Sequence, residues 1–275
     1  MIENLQDAYM LNNGIAMPGF GLGVFKIGDG SPVINSVKSA LRYGYRLIDT
    51  ASIYGNERGV GTAIKESGLE RKEVFLTTKL WNSDQKEGTI LKAFESSLEK
   101  LQTDYVDLYL IHWPVKSKIV ESWKVLERLY NEKRVRCIGV SNFTIDNLKT
   151  LLNESEIVPA VNQVEIHPLL TQEKLREFCN LNNIVVQGWS PLMQGNLNIP
   201  LLDELAKKYK KNNGQIVLRW HIQNEIIPIP KSIHDYRIRD NKDIFDFTLN
   251  SDEMQSLNNL NQNRRFGPDP DTFDP

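Results

Sequence analysis

Residues 47–57 have the sequence Leu47-Ile48-Asp49-Thr50-Ala51-Ser52-Ile53-Tyr54-Gly55-Asn56-Glu57. A short apolar run ends in a carboxylate, and a phenol beside a glycine follows five residues later. We therefore expect Asp49 at the carboxyl end of a strand, and Tyr54 in the loop before a helix that begins near Asn56. In open α/β sheets and α/β barrels, ligands bind at this end of the strands. The segment predicts a parallel α/β fold with a functional site at one rim.

Two later apolar runs end in the same way. Residues 74–79 close on Lys79, and residues 106–112 close on His112. If the strands are parallel, these two side chains meet Asp49 and the nearby phenol at the same rim. Finding all four groups on the second, third and fourth strands is hard to explain by packing alone.

The four groups suit the protonation of an oxygen that becomes negative. A phenol has a pKa of about 10, so Tyr54 can give up its proton at neutral pH only if its phenolate is stabilised. The ammonium of Lys79 can stabilise the phenolate, and Asp49 can keep Lys79 charged and fixed. His112 can donate a hydrogen bond from the other side and orient a carbonyl oxygen. A metal ion is not needed for this chemistry, because Tyr54 supplies the acid.

Most of the chain alternates apolar strands with amphipathic helices, which is typical of a parallel sheet buried on both faces. Strands are predicted at residues 22–25, 47–49, 74–79, 106–112, 135–141, 160–164, 184–189 and 226–229. Ser31 is read as the N-cap of the first helix, with Pro32 at the first helical position. Eight such units predict a single (β/α)8 TIM barrel over residues 1–275. The alternative, a flavodoxin-like doubly wound sheet, would need only five or six strands.

The N-terminal region predicts a β-hairpin ahead of the barrel. Short apolar pieces within residues 8–21 flank Asn12-Asn13-Gly14, and Asn-Gly closes tight hairpins. The glycines at 19, 21 and 23 do not indicate a Rossmann fold. A valine, Val24, stands where the third glycine of G-x-G-x-x-G belongs, and no strand precedes the run.

Composition excludes several classes of protein. With 40% hydrophobic and 25% charged residues, the chain suits a globular protein with a large core. A net charge of −2 gives no overall field for nucleic acid or an anionic membrane. Cys137 and Cys179 are too few for a disulfide framework or zinc site and favour a reducing compartment. No secretion signal or apolar run of about 18 residues is present, so we expect a cytoplasmic protein, and nothing in the sequence demands more than a monomer.

Asp49, Tyr54, Lys79 and His112 at these strand ends resemble the catalytic tetrad of the aldo-keto reductases, and related motifs recur along nearly the whole chain. The resemblance is to the bacterial type that includes glyoxal and 2,5-diketo-gluconate reductases. It implies a barrel that binds NADPH or NADP+ in extended form across the rim without a Rossmann fold. It also implies hydride transfer to small aldehydes, ketones or dicarbonyls to give alcohols, with Tyr54 as the general acid.

The resemblance implies cofactor-binding residues as well. It places a carboxamide site at Ser141, Asn142 and Gln163, and a stacking aromatic at Trp189, where many members have tyrosine, followed by Ser190-Pro191-Leu192. Met193 stands where glycine is common in bacterial relatives. Residues 230–241 resemble the adenosine phosphate site, with Lys231, Ser232 and Arg237 on the 2′-phosphate and Asp240 and Asn241 on the adenine.

Aromatic residues follow three of the strands. Phe25, Trp81 and Trp113 are expected to form, with His112, an apolar pocket for small substrates, although tryptophan is also a common packing residue. Two other functions remain open. One is an NADPH-binding regulatory or sensor protein of the same fold with negligible turnover; the other is a barrel isomerase, which would need a Glu or Lys base but no nicotinamide site. The physiological substrate stays undetermined.

Overall fold

The computed structural model describes residues 2–273. Eight parallel strands form a sheet in which each strand pairs with its neighbour in the sequence. They are β3 (Gly21–Gly23), β4 (Leu47–Asp49), β5 (Phe75–Leu80), β6 (Val106–Ile111), β7 (Val135–Ser141), β8 (Val161–Glu165), β9 (Val185–Trp189) and β10 (Ile227–Pro228). The amide of Gly23 donates to the carbonyl of Pro230 at 3.2 Å, which brings the last strand against the first. The (β/α)8 barrel is confirmed, and the doubly wound alternative is wrong.

Helices lie between the strands and after the last one. They are α1 (Ser31–Arg42), α2 (Glu57–Lys65), α3 (Asn82–Glu87), α4 (Ile90–Leu101), α5 (Ile119–Asn131), α6 (Ile145–Glu154), α7 (Glu173–Leu181), α8 (Pro200–Tyr209), α9 (Asn213–Gln223), α10 (Asp235–Asn241) and α11 (Ser251–Asn258). No helix within the described range is both long and apolar enough to cross a membrane.

The structure corrects three local expectations. The N-cap of α1 is Gly30, with φ of 74°, so Ser31 is already the first helical residue. Helix α3 was not predicted, because its six residues are polar and carry no apolar stripe. Helix α11 was also missed, since Leu257 alone among its residues is buried, yet the capping box formed by Asn250 and Glu253 is a sequence signal for its start.

The N-terminal hairpin is confirmed and closes the end of the barrel opposite the rim. Strand β1 (Ala8–Met10) pairs antiparallel with β2 (Ala16–Pro18). The connection is longer than the expected tight turn: the amide of Gly14 donates to the carbonyl of Leu11 at 2.9 Å, and Gly14 has φ of 80°. This is the three-residue hairpin loop, in which glycine takes the left-handed position.

The core has two layers separated by the barrel wall. Side chains alternate along each strand; in β6, Leu108 and Leu110 pack inside the barrel, while Tyr109 and Ile111 pack against the helices. Leu11 of the hairpin belongs to the inner cluster. Both cysteines are buried and free, and burial raises the pKa of each thiol to about 11. A filled interior leaves the rim as the end of the barrel at which a site can form.

Candidate active site

A pocket of about 1220 Å³ lies at the carboxyl-terminal rim of the strands. With one exception, every residue predicted for the site lines it: Phe25, Asp49, Tyr54, Trp81, His112, Trp113, Ser141, Asn142, Gln163, Trp189, Ser190, Leu192, Lys231, Ser232, Arg237, Asp240 and Asn241. The exception is Lys79, which has 0% of its surface exposed and lies beneath the floor of the pocket. The structure therefore brings the predicted residues together at one rim.

Strand register places Lys79 beside Asp49. Asp49 ends β4 and is the partner of Thr77 in β5, so Lys79, two residues further on, points to the same face. The Lys79 ammonium donates to Asp49 Oδ1 at 2.6 Å, to the Thr50 carbonyl at 2.8 Å and to the Tyr54 hydroxyl at 3.5 Å. Three partners match the three N–H groups of an ammonium, so Lys79 is held in one orientation.

Tyr54 sits at the end of a short 3₁₀ turn, Ser52–Tyr54, that ends at Gly55 with φ of 67°. The Ser52 hydroxyl donates to the carbonyl of Lys79 at 2.9 Å, which ties the turn to β5. Next along the chain, the Asn56 side chain donates to the carbonyls of Val24 and Ile27 at 3.0 and 2.9 Å. These bonds fix the loop that carries the phenol.

His112 follows the last residue of β6 and faces Tyr54 and Trp81, with ring centroids 5.5 and 5.1 Å away. Burial lowers the pKa of His112 well below its ordinary value, and the charge of Lys79 adds to the effect. The ring is therefore neutral at pH 7 and carries one N–H. Its Nδ1 atom is buried and has no hydrogen-bond partner within residues 2–273.

Burial dominates the ionisation of the other three groups. It raises the pKa of Asp49 and lowers that of Lys79, and their mutual attraction opposes both shifts. It also raises the pKa of Tyr54 well above 10, with the charge of Asp49 adding to the effect. Tyr54 is a protonated phenol at neutral pH.

A hydrogen-bond network connects the predicted carboxamide site to Asp49. Gln163 Nε2 donates to Asp49 Oδ2 at 2.6 Å and to Gln187 Oε1 at 2.7 Å. Asn142 Nδ2 donates to the carbonyl of His112 at 2.9 Å. The indole N–H of Trp189 donates to Asn142 Oδ1 at 2.8 Å, a bond that the sequence did not predict. Trp189 is thus held by hydrogen bonding as well as by packing.

The turn after β9 has unusual backbone conformations. Ser190, Met193 and Gln194 have φ values of 48°, 51° and 52°, in the left-handed region that favours glycine. The Met193 side chain is fully buried. Met193 therefore takes a backbone conformation that favours glycine, and its side chain packs into the core.

The segment after β10 places two cations at the pocket. Lys231 and Arg237 are exposed and line it, and neither has a carboxylate oxygen within 4.0 Å among the residues the structure describes. Asp240 is different, because it pairs with Arg239 at 2.9 Å. Among all the residues that the structure describes, no group of three or more His, Cys, Asp or Glu side chains could hold a metal ion. This end of the pocket suits an anion.

Aromatic rings also line the pocket. Phe25 lies 4.9 Å from Tyr54, and Trp113 lies 6.4 Å from Trp189, measured between ring centroids. Sequence reasoning missed the contribution of the C-terminal tail: Phe273 lies 4.5 Å from Trp113, and Phe266 also lines the pocket. The sequence signal for this contribution was the presence of two aromatic residues, Phe266 and Phe273, in a tail that is otherwise mostly polar.

Three comparisons with known proteins agree with this architecture. The model of the "Aldo/keto reductase family" matches residues 19–262. Glyoxal reductase of Bacillus subtilis is 52% identical over 272 residues, covering 98% of this chain and 99% of that protein. Methylglyoxal reductase DkgA of Escherichia coli is 44% identical over 268 residues, covering 96% of each. A mutant of Gox0644 in complex with NADPH has a TM-score of 0.91 and 40% identity, covering 98% of this chain and 99% of that one.

The family match spans most of the chain, and these relatives align with it over nearly their full lengths. The protein therefore belongs to the aldo/keto reductase family and is an oxidoreductase of that family.

Proposed function

We propose that this protein is an NADPH-dependent reductase of small aldehydes, ketones and dicarbonyls. The observation that carries the proposal is the hydrogen-bonded unit of Asp49, Lys79 and Tyr54, with His112 beside it, at the floor of the rim pocket. Reduction of a carbonyl requires a hydride, which amino-acid side chains cannot provide. NADPH, present in the complex of the related Gox0644, supplies that hydride when bound.

The residues at the rim fit this cofactor. The pocket is larger than the roughly 300–1,000 Å³ of an ordinary small-molecule site, so it has room for a dinucleotide and a small substrate. No donor within residues 2–273 reaches the side-chain carbonyl oxygen of Gln163, and a carboxamide N–H group would satisfy it. Lys231 and Arg237 have no carboxylate partner among the described residues and would bind the 2′-phosphate.

In this proposal Tyr54 is the acid in reduction and the base in the reverse direction. Its raised pKa keeps the phenol protonated until an oxygen nearby becomes negative. Lys79, 3.5 Å from the hydroxyl, then stabilises the phenolate that proton transfer leaves. Neutral His112 donates its one N–H to the substrate oxygen and so orients the carbonyl. Asp49 holds Lys79 in place throughout.

The proposed substrate class rests on the walls of the pocket. The pocket offers non-directional apolar contacts from Phe25, Trp81 and Trp113. Small carbonyl compounds also appear in the names of glyoxal and methylglyoxal reductases, which this chain resembles. Activity restricted to one bulky steroid or sugar acid, with none on short aldehydes, would contradict this assignment.

One assay tests the function against the regulatory alternative. Purified protein is mixed with NADPH and methylglyoxal, and the loss of NADPH absorbance is followed with time. We expect steady turnover in the native protein and strong loss in Tyr54→Phe. A protein that binds NADPH but shows no turnover with any short aldehyde would instead be the non-catalytic binding protein considered above.

A further inference from the structure

We propose that Glu165 is a positioning residue that fixes the C-terminal segment, residues 264–273, as an outer wall of the substrate pocket. Glu165 is the last residue of β8, and its side chain is fully buried. Its carboxylate accepts the backbone amide of Phe266 at 2.7 Å and that of Gly267 at 3.2 Å. These two bonds join the barrel to a segment 101 residues later in the chain.

The charge of Glu165 explains why these bonds matter. No lysine or arginine nitrogen lies within 4.0 Å of this carboxylate in the part of the chain that the structure describes, and His167 Nε2 lies 3.2 Å from it. A buried carboxylate is costly unless it is paired or accepts hydrogen bonds, and His167 Nε2 is one hydrogen-bond partner of this group. The amides of Phe266 and Gly267 also donate to it, and hydrogen bonds to a charged acceptor are the stronger kind. The barrel and the C-terminal segment therefore stabilise each other through this group.

The segment held by Glu165 makes three further contacts with the rim. Gly267 packs on Trp189 so closely that a Cβ atom there would lie 2.3 Å from the indole ring. Phe273 packs on Trp113 at a centroid distance of 4.5 Å. In addition, Gln194 donates to the carbonyl of Phe266 at 3.1 Å. Releasing the segment from Glu165 would therefore shift an aromatic wall of the pocket and leave the Asp49–Lys79–Tyr54 unit in place.

This geometry predicts an effect that depends on the size of the substrate. The C-terminal segment lines the pocket through Phe266, Gly267, Pro268 and Phe273. Hexanal has an apolar chain that can extend from the phenol toward this wall. Methylglyoxal has only a methyl group beyond its two carbonyls, so we expect it to depend mainly on groups near the phenol. Glu165 should therefore affect the KM of the long aldehyde; this part of the inference rests on the proposed function.

The first test compares E165Q with E204Q, which makes the same charge change at an exposed position of α8. Hydrogen exchange of residues 264–273 is measured in the protein free of cofactor, and steady-state kinetics are measured with hexanal and methylglyoxal. In E165Q we expect faster exchange and a KM for hexanal raised about tenfold. We expect kcat for both substrates, and the KM for methylglyoxal, to stay within about twofold of native. E204Q should show neither the faster exchange nor the raised KM.

A second pair of variants tests the same bond from the other side and does not require E165Q to fold. F266P removes the amide that donates to Glu165, whereas F266A keeps this amide and loses the ring. We expect F266P to show the larger increase in both exchange and hexanal KM. Equal behaviour of the two variants, or unchanged exchange in E165Q, would overturn the positioning role.

The kinetic outcomes separate this inference from the proposed function. If exchange rises in E165Q but the KM values for both aldehydes rise equally, or kcat falls with them, Glu165 supports the whole site and does not set its outer wall. If the native protein reduces neither aldehyde, the proposed function fails. In that case only faster exchange in E165Q and in F266P relative to F266A would support the attachment of the segment by Glu165, and unchanged exchange would still overturn it.

Discussion

At the scale of single residues, the site depends on the hydrogen bonds made by the buried ammonium of Lys79. Lys79 is fully buried, and its three hydrogen bonds go to a carboxylate, a backbone carbonyl and a phenol. Removing one member of a buried ion pair is strongly destabilising, because the other charge is left uncompensated. Lys79 and Asp49 therefore act together in stability as well as in the chemistry proposed for Tyr54.

Tyr54→Phe removes one oxygen and keeps the ring, so we expect NADPH to bind while turnover falls by about 10² to 10⁴ or more, the usual effect of a positioned proton donor. Lys79→Met should also reduce turnover strongly. The factor by which turnover falls in the double variant should be far smaller than the product of the two single factors, because both changes disable one proton-transfer unit. Tyr105→Phe, before β6 at the opposite end of the barrel, is the control. Near-normal turnover of Tyr54→Phe would make His112 the leading candidate for the acid.

At the scale of elements, one junction bears on the proposed function and another on stability. The segment between β10 and α10 carries the cations proposed to bind phosphate. On the outside of the barrel, helices α2 and α4 meet at Gly61, where a Cβ atom would lie 2.3 Å from the carbonyl oxygen of Leu101. This contact is with backbone, so it cannot be relieved by turning a side chain.

Arg237→Ala should weaken NADPH far more than NADH, because NADH lacks the phosphate that the guanidinium would bind. One charge-assisted hydrogen bond contributes roughly 1.5 to 3 kcal/mol, which corresponds to a dissociation constant for NADPH raised about 10- to 100-fold. Fluorescence titration with both cofactors measures the effect, and NADH is the internal control. An equal loss for NADH would show that Arg237 supports folding or binds the adenine instead.

Gly61→Ala should destabilise the protein by about 1–3 kcal/mol, the usual effect of overpacking, because α2 and α4 must move apart. Urea unfolding of the native protein and the variant provides the measurement. Lys65→Ala, at an exposed position of the same helix, should stay within about 0.5 kcal/mol of native. A neutral result for Gly61→Ala would mean that the two helices separate easily.

At the scale of the whole molecule, burial lowers the pKa values of two histidines, His112 and His221. His112 lies at the rim, and His221 lies in α9 with its ring nitrogens 2.8 and 2.9 Å from the carbonyls of Val217 and Ile166. Burial lowers the pKa of His221 to about 4 and that of His112 well below its ordinary value of 6.5. Below pH 6.5 the unfolded chain therefore binds protons that the folded protein does not.

These two histidines should consequently lower the free energy of unfolding as pH decreases from about 6.5 to 4. At these groups the unfolded state binds more protons in this window, so their contribution to stability rises with pH, by up to about 1.4 kcal/mol per pH unit for each histidine. Urea unfolding at several pH values tests this. His221→Gln should reduce the slope by about one proton, whereas His234→Gln, on the surface, should not change it. Equal slopes for His221→Gln and the native protein would contradict the prediction.

The sequence by itself determined the barrel fold and which side chains lie at its rim. Alternating apolar strands and amphipathic helices are local patterns, because each element must bury one face or stripe. Parallel strands then bring their carboxyl ends to one side, so Asp49, Lys79 and His112 could be placed together before any distance was known. The same logic located the predicted strands within two residues of their observed bounds.

Only the tertiary structure decided how these groups interact. The bond from Trp189 to Asn142 spans 47 residues, and that from Phe266 to Glu165 spans 101. The direction of the Tyr54 pKa shift also depends on the packing around it. No local pattern encodes such features, because long-range hydrogen bonds and burial depend on where the closed barrel places distant segments. Periodicity specifies which face of an element is buried, and barrel closure specifies which side chains meet there.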